Sequence, residues 1–368
     1  MNKNPYKWNI AILSVAHDVG DGRVHRLVGA LQEQGCQIQL YGVGDAKNAP
    51  PGTSCHTTER LSLLRRLFRS ISLPFSVRAQ ATIVIDPDLF FPAFIARRLK
   101  RIPVLVSDVH EDYLKVAEDR KWPNKLIKFI SKLLLRPAIW ASRKSDLTLM
   151  ADNHVPPLRA KNRLVVPNLP VHSDLENNFL HLESPPRAVY IGDVRKSRGV
   201  FEMIEAIQIT NSWEIDIIGP IDPTIKEDIE SKIKECERIR IHGRLSPPIA
   251  RETAKGASVG ISFLHDTPAF RESMPTKVYE YADAGMAIIT SPLPRPSDFV
   301  TELDIGVIAH TVSEIATTLT NWQADPEKLF THQTNAQSWS TYQLQHQDVF
   351  KKAAEAITNQ MNKCRNYI

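Results

Sequence analysis

Residues 8–15 (WNIAILSV) form an unbroken apolar run, and the pattern it begins restricts the fold more than anything else in the chain. After a glycine-bearing loop, His17-Asp18-Val19-Gly20-Asp21-Gly22, a helical pattern occupies 23–33, and residues 36–42 (CQIQLYG) give a second apolar run. A short run that is apolar at nearly every position suits a strand buried on both faces. Two such strands joined through a helix lie parallel, in the right-handed βαβ arrangement. Further strand runs at 83–85, 104–107, 147–150 and 164–166, with helices that include 89–100 and 126–144, extend this unit into a doubly wound α/β domain.

The alternation then starts again. Residues 172–186 are polar and contain Ser184-Pro185-Pro186, the composition of a linker. Strands follow at 189–191, 215–219, 239–242, 259–264 and 287–290, separated by helices at 198–209, 224–237, 248–255 and 275–284. From residue 325 onward there is no strand signal, and Trp339 is expected to open the last long helix. The expected layout is a first domain at 1–171, a second at 187–338 and a helical tail at 339–368. Sheets of this kind bind ligands at the carboxyl ends of their strands, so two of them would offer two such edges to one cleft.

Composition removes several classes of function. The 368 residues suffice for two cores, and 42% hydrophobic with 24% charged residues describes an ordinary globular protein. No apolar run approaches the roughly 18 to 20 residues of a membrane span, and residues 1–8 are too polar for a signal peptide, which points to the cytoplasm. The four cysteines, Cys36, Cys55, Cys236 and Cys364, lie too far apart for a zinc site or a disulfide framework and are expected to be reduced. Charge is uneven: residues 1–175 hold 26 Lys and Arg against 15 Asp and Glu, net +11, and the remainder is −6. A basic half implies an anionic partner. Nucleic acid is disfavoured because no interleaved aromatic pattern or recognition helix accompanies the charge. Two basic amphipathic stretches, 61–70 (LSLLRRLFRS) and 121–144, instead suit the headgroups of the inner face of a membrane.

The chemistry concentrates in 271–285, RESMPTKVYEYADAG, where Glu272 and Glu280 stand eight positions apart around an expected helix start and Gly285 marks its stop. Pro275 suits the first turn, because its missing N–H has no intrahelical partner there. The N–H groups of Thr276, Lys277 and Val278 would then be open to an anion. Glu280, one turn in, is placed to accept from hydroxyls. The plainest alternative is an exposed Lys277–Glu280 pair on the helix surface.

These residues resemble the E-x7-E motif of retaining GT-B glycosyltransferases of the nucleotide-sugar-dependent family 4 type, in which a small-residue helix, a glycine and an apolar strand follow, as YADAG and MAIITS do here. Tyr190-Ile191-Gly192-Asp193 through Arg198-Gly199, His242-Gly243-Arg244-Leu245, Val165-Val166-Pro167-Asn168 and Val109-His110-Glu111-Asp112 match further family landmarks in order. The resemblance implies a GT-B fold, two Rossmann-like domains facing across a cleft, with the acceptor on the first and the donor on the second. It implies a nucleotide-diphosphate sugar as donor, an acceptor hydroxyl for which a lipid-linked saccharide would suit, no metal, and a front-face reaction with retention in surface polysaccharide or glycolipid assembly.

Residue by residue, the resemblance assigns Glu280 to the donor ribose, Glu272 to the transferred sugar, and the backbone at Met274, Pro275 and Thr276 to the diphosphate. It gives His110 a place beside the donor sugar and the Gly20 and Gly22 loop a contact with donor phosphate or acceptor. Glu111 and Asp112 read as acceptor-side or structural. The family has an arginine directly after the strand glycine and a lysine before the next one; here those positions hold Asp193 and Arg198, with Arg195 and Lys196 between them as substitutes. Asp86-Pro87-Asp88 has the form of a metal-binding D-x-D pair, but also of a strand-to-helix turn. A sugar-nucleotide epimerase of the same architecture and a non-catalytic donor-binding subunit remain alternative readings.

Overall fold

The computed structural model describes residues 8–119, 125–169, 184–234, 236–346 and 348–365. Most of the expected linker (172–183), and Lys121 and Trp122 of the second basic stretch, lie outside the described residues. Two compact units emerge: Met1–Asn168 with Asp348–Ile368, and Leu169–Gln347.

The first unit runs β1 (Trp8–Asp18), α1 (Gly22–Glu33), β2 (Cys36–Val43), β3 (Ser54–Thr58), α2 (Leu63–Ser76), β4 (Ala81–Val84), α3 (Pro87–Arg98), β5 (Leu105–Val109), α4 (Tyr113–Asp119), α5 (Lys125–Ser142), β6 (Leu147–Met150) and β7 (Arg163–Val165). Its sheet has the order β3-β2-β1-β4-β5-β6-β7, and every pairing is parallel. β4 and β6 are buried at all four of their positions, as strands covered on both faces must be. β3 (SCHTT) escaped the sequence reading because it is a polar, partly exposed edge strand, where nothing forces an apolar run.

The second unit repeats the plan with β8 (Arg187–Ile191), α6 (Val200–Ile209), β9 (Glu214–Ile218), α7 (Lys226–Ile233), β10 (Ile239–Gly243), α8 (Pro247–Ala254), β11 (Val259–Ser262), α9 (Thr276–Asp283), β12 (Ala287–Thr290), α10 (Pro294–Leu303), β13 (Gly306–Ile308), α11 (Val312–Ala324) and α12 (Glu327–His346). The strand order is β10-β9-β8-β11-β12-β13, again all parallel. α10 and β13 were not expected: the helix opens on Pro294-Arg295-Pro296, which reads as a loop, and the strand has three residues.

The tail corrects the sequence reading. α12 runs unbroken through Trp339, whose ring stacks on Tyr279 of α9 with centroids 6.0 Å apart. The last helix opens at Val349 instead (α13, Val349–Arg365), and its Phe350, Ala354 and Ile357 join the core of the first unit beside Leu27 and Leu31 of α1.

In each sheet the chain builds outward one way and then returns to the starting strand, so β1 and β4 in one unit, and β8 and β11 in the other, splay apart at their carboxyl ends. β8 pairs with β11 only at Ala188↔Val259 and Val189↔Gly260. Beyond that point Tyr281 of α9 bridges the gap: its hydroxyl accepts from the Ile191 N–H at 2.9 Å and donates to the Ile261 carbonyl at 3.5 Å. Gly260 makes room for its ring, since a Cβ there would stand 2.2 Å from the Tyr281 Cγ. The tyrosine, 1% exposed, thereby ties α9 to the end of β8. Tyr281→Phe keeps the ring but strands a buried donor and a buried acceptor, so urea denaturation is expected to show about 1–3 kcal/mol of lost stability with unchanged secondary structure.

Candidate functional site

In the second unit the splayed edge is built from glycines. Gly192 and Gly219, at φ 145° and 150°, stack the ends of β8 and β9; a Cβ on Gly219 would fall 1.9 Å from the Gly192 carbonyl oxygen. A single 3-10 turn at Lys196–Arg198 ends on Gly199, at φ 73°, where a Cβ would meet the Phe263 oxygen at 2.0 Å. That turn therefore passes directly over the end of β11, and the His265 N–H donates to the Ser197 carbonyl at 3.0 Å. Arg198 is carried there with it, half-buried, its guanidinium 5.5 Å from the centre of the Phe270 ring and its Nε sealed from solvent without a hydrogen-bond partner among the described residues. Beside it, His265 Nε2 and Glu202 Oε1 are 2.7 Å apart.

Lys277 is the second cation. It is not on the helix surface: it is 5% exposed, and its ammonium lies 3.6 Å from the centre of the Tyr190 ring. A Cβ on Gly192 would stand 2.8 Å from Nζ and would push the amine aside, and the φ of 145° itself favours glycine there. Nζ has no hydrogen-bond partner among the described residues. Burial first, and then the nearby Arg198 charge, push the Lys277 pKa well below that of an ordinary lysine, against the pull of Glu280 and Asp193. Burial likewise pushes the Tyr190 hydroxyl up to about 12, while the Arg198 guanidinium opposes it. Two cations held together with no carboxylate paired to either among the described residues form a site whose natural complement is an anion.

The start of α9 adds to that positive potential. Pro275 is the N-cap and has no side-chain cap to offer, so α9 begins at Thr276. Val278 turns its N–H back to the Pro275 oxygen at 3.0 Å, a correction to the expectation that it would be open. Thr276 and Lys277 keep the N–H groups that a helix start leaves without intrahelical partners. Glu280, fifth in the helix, is exposed, and Glu272 is half-buried in the turn before Met274. Arg271, next to Glu272, is held by Asp266 in a two-pronged pair at 2.8 and 3.1 Å.

The substitutes named for the missing arginine have different surroundings. Arg195 is 55% exposed and paired with Asp193 at 3.0 Å, so the residue that replaces the arginine also occupies one of its stand-ins. Lys196 is exposed on the 3-10 turn. Arg198 and Lys277 are the pair that the fold brings to Gly192.

The corresponding edge of the first unit carries a buried polar network. The Asp86 carboxylate accepts from the Ser14 hydroxyl (2.7 Å), the Val15 and Ala16 N–H groups (2.6 and 2.9 Å) and His17 Nδ1 (2.5 Å). It thereby fixes the end of β1, where the chain crosses from β1 to α1. Burial acts to raise its pKa, but the His17, Ser14 and Val15 hydrogen bonds win and bring it down to about 2. Burial lowers the His17 pKa, yet its hydrogen bond and charge interaction with Asp86 leave it raised overall. The His17 ring meets His110 edge-on at 5.0 Å. His110, just past β5, has Nε2 3.1 Å from Asp108 Oδ2, and Asp108 is gripped by Arg23 of α1 through Nε and Nη2 at 2.7–3.2 Å. Arg23 Nη1 reaches on to the Val166 carbonyl and Asn168 Oδ1.

Of this network the sequence reading named His110 and missed the roles of Arg23 and Asp108. Asp108 was detectable as the one carboxylate inside a fully buried strand, LVSDV. The D-x-D pair comes apart: Asp86 is committed to β1, while Asp88 accepts from Arg66 of α2 on the surface at 2.5 Å. Asp112 accepts from the Leu114 and Lys115 N–H groups and so starts α4, and Glu111 is exposed. The loop at Gly20 and Gly22 is satisfied internally. Asp18 takes the Gly20 N–H at 2.8 Å, Asp21 caps α1 through the Arg23 and Val24 N–H groups, and Gly20 packs against Asn48.

Residues 185–325, all within the second unit, match the family model described as Glycosyl transferases group 1. No curated protein matches the chain by sequence. Among solved structures it is similar to Anabaena HepE in complex with UDP-glucose, at 14% identity over 98% of this chain and 100% of that one, with a TM-score of 0.67. It is also similar to sucrose-phosphate synthase from Thermosynechococcus elongatus, at 15% identity over 98% and 99% with a TM-score of 0.64. A third is WaaG, a glycosyltransferase involved in lipopolysaccharide biosynthesis, at 13% over 95% and 99% with a TM-score of 0.61. The fold is GT-B.

The Asp86–His17 pair sets a pH dependence of stability. A carboxylate lowered in the folded state stabilises fully above its unfolded pKa and loses that contribution as pH falls toward 2. A raised histidine stabilises below its unfolded pKa and loses its share as pH rises through the folded one. Asp86→Asn is therefore expected to cost about 2 kcal/mol near pH 5, less at pH 2–3, when urea midpoints are compared across pH.

Proposed function

We propose that this protein is a retaining glycosyltransferase that moves a sugar from a nucleoside diphosphate sugar to an acceptor hydroxyl. The observation that carries this reading is the unpartnered Lys277 ammonium beneath Gly192, beside Arg198 and the uncapped start of α9. A diphosphate supplies the charge that these groups lack. The group 1 domain match over 185–325 supports the same chemistry, as does similarity to a structure that holds UDP-glucose.

As the glycosidic bond breaks, negative charge grows on the departing phosphate. Preorganised cations and helix N–H groups lower the barrier by meeting that charge where it develops. Lys277, Arg198 and the Thr276–Lys277 amides do this in our reading without a divalent metal. Glu280, one turn along the helix, accepts from the ribose hydroxyls, and Glu272 holds hydroxyls of the transferred sugar. A phosphate oxygen of the leaving group takes the acceptor proton while the new C–O bond forms on the same face of the sugar, which retains the anomeric configuration. His110, oriented by Asp108 and flanked by His17, is the first unit's candidate for a sugar hydroxyl. The similarity to WaaG supports a place in surface polysaccharide or glycolipid assembly, with a lipid-linked saccharide as acceptor at the inner face of a membrane.

Calorimetry against UDP-, GDP- and ADP-sugars, followed by turnover with the donor that binds, tests the reading. Glu280→Ala is expected to weaken donor binding by about 10- to 100-fold, the worth of hydrogen bonds to a charged group. Glu272→Ala is expected to weaken donor binding less than Glu280→Ala does and mainly to lower kcat, by about 100-fold. Wild-type affinity and turnover in both variants would remove the site assignment. Epimerised donor formed without acceptor would favour an epimerase, and binding without transfer or hydrolysis a donor-binding subunit.

A further inference from the structure

On one side of the first unit's sheet, α2 packs against α3 and α3 against α5. The inward residues of these helices, among them Leu73, Phe90, Ala93 and Ala138, fill the core beneath them. Their outward residues are not those of a solvated surface. Leu63, Leu64 and Phe68 of α2 are 85%, 71% and 71% exposed, and Leu126, Phe129 and Leu134 of α5 are 65%, 64% and 65% exposed. The Phe94–Trp140 ring contact, at 5.0 Å, joins α3 to α5 between the two rows. Isolated exposed leucines need no explanation, but large side chains concentrated on adjoining helices mark a surface that something covers.

Charge identifies the cover. Within 63–76 and 125–142 there are seven Lys and Arg and no Asp or Glu. Two of the seven are neutralised from neighbouring segments, Arg66 by Asp88 and Lys132 by Glu118. Arg65, Arg69, Lys125 and Arg136 have no carboxylate paired to them among the described residues. A second copy of this face would bring like charges together, whereas an anionic bilayer offers phosphates at the level of the cations and acyl chains to the leucines and phenylalanines. No helix among the described residues is long and apolar enough to cross a membrane, which leaves a helix pair lying in the interface.

We propose that the α2–α3–α5 face docks the first unit on an anionic lipid surface, with Leu64, Phe68, Phe129 and Leu134 entering the headgroup boundary and Arg65, Arg69, Lys125 and Arg136 meeting lipid phosphates. The proposal does not depend on the identity of the donor or on the second unit. Its test is flotation of the full chain with vesicles of phosphatidylcholine alone or with about one-third phosphatidylglycerol. Binding is expected to the anionic vesicles only, and to weaken steeply at about 1 M salt, where the Debye length is ~3 Å. Arg65→Glu/Arg69→Glu and Leu64→Ser/Phe68→Ser are each expected to lower the bound-to-free ratio at least ~10-fold while the thermal unfolding midpoint stays put, because all four side chains are outside the core. Equal binding to neutral vesicles, no binding to either, or unchanged binding by both variants overturns the proposal. So does a lipid-free dimer that the same substitutions convert to monomer, which would assign the face to a second copy.

Discussion

A lysine ammonium removed from water without a counter-ion is costly, and the carboxyl edge of the second unit's sheet is arranged around that cost. Lys277 is closed over by Tyr190 and Gly192, and its charge is further disfavoured by Arg198. An arrangement like this persists only where the rest of the structure overdetermines it. Here the overdetermination is visible: Tyr281 ties α9 to the parting strands, Gly260 admits its ring, Gly192 leaves the amine its space, and Gly199 lets the Arg198 turn cross the end of β11. Gly260 and Gly199 are required by contacts that any Cβ would obstruct, and Gly192 is favoured by its φ of 145°. The folded state thus holds in advance electrostatic work that an arriving anion can recover.

Much of the fold was legible because buried parallel strands have to be apolar at nearly every position. The repeat of short apolar runs, loops and helices identified both sheets. It failed where burial relaxes: β3 is a polar edge strand, β13 is a three-residue strand, and α10 begins with two prolines that read as a loop. The tail failed for another reason. Trp339 looked like a new start, but its apolar surface is spent on Tyr279 and Phe299 in the middle of α12, and the break comes ten residues later at Val349. No local pattern reveals that the final helix returns to the first unit, because the partners that need Phe350 and Ile357 are more than three hundred residues away in α1.

The site was legible in its order and not in its depth. Glu272, Pro275 and Glu280 could be placed around a helix start from spacing alone. Lys277 could be placed there too, through its N–H, but the burial of its side chain could not; that burial depends on Gly192 and Tyr190, which are distant in sequence. Reading Asp193 as a missing cation was half of the picture. The other half is that α9 supplies a cation from below the same glycine, while Asp193 engages Arg195 at the surface. In the first unit, the carboxylates hidden in strand ends, Asp86 and Asp108, proved to organise His17 and His110.

The central claim is that Lys277 is a depressed-pKa amine awaiting the phosphate charge of a nucleotide. Proton linkage tests it most directly: titrate the protein with UDP by calorimetry at pH 8 and above, where the phosphate no longer titrates, in buffers of differing ionisation enthalpy. Because an arriving anion raises the lysine pKa, binding is expected to take up as much as about one proton, to weaken as pH rises, and to lose both properties in Lys277→Met. Binding with no proton uptake at any pH, at an affinity that Lys277→Met leaves unchanged, would contradict it.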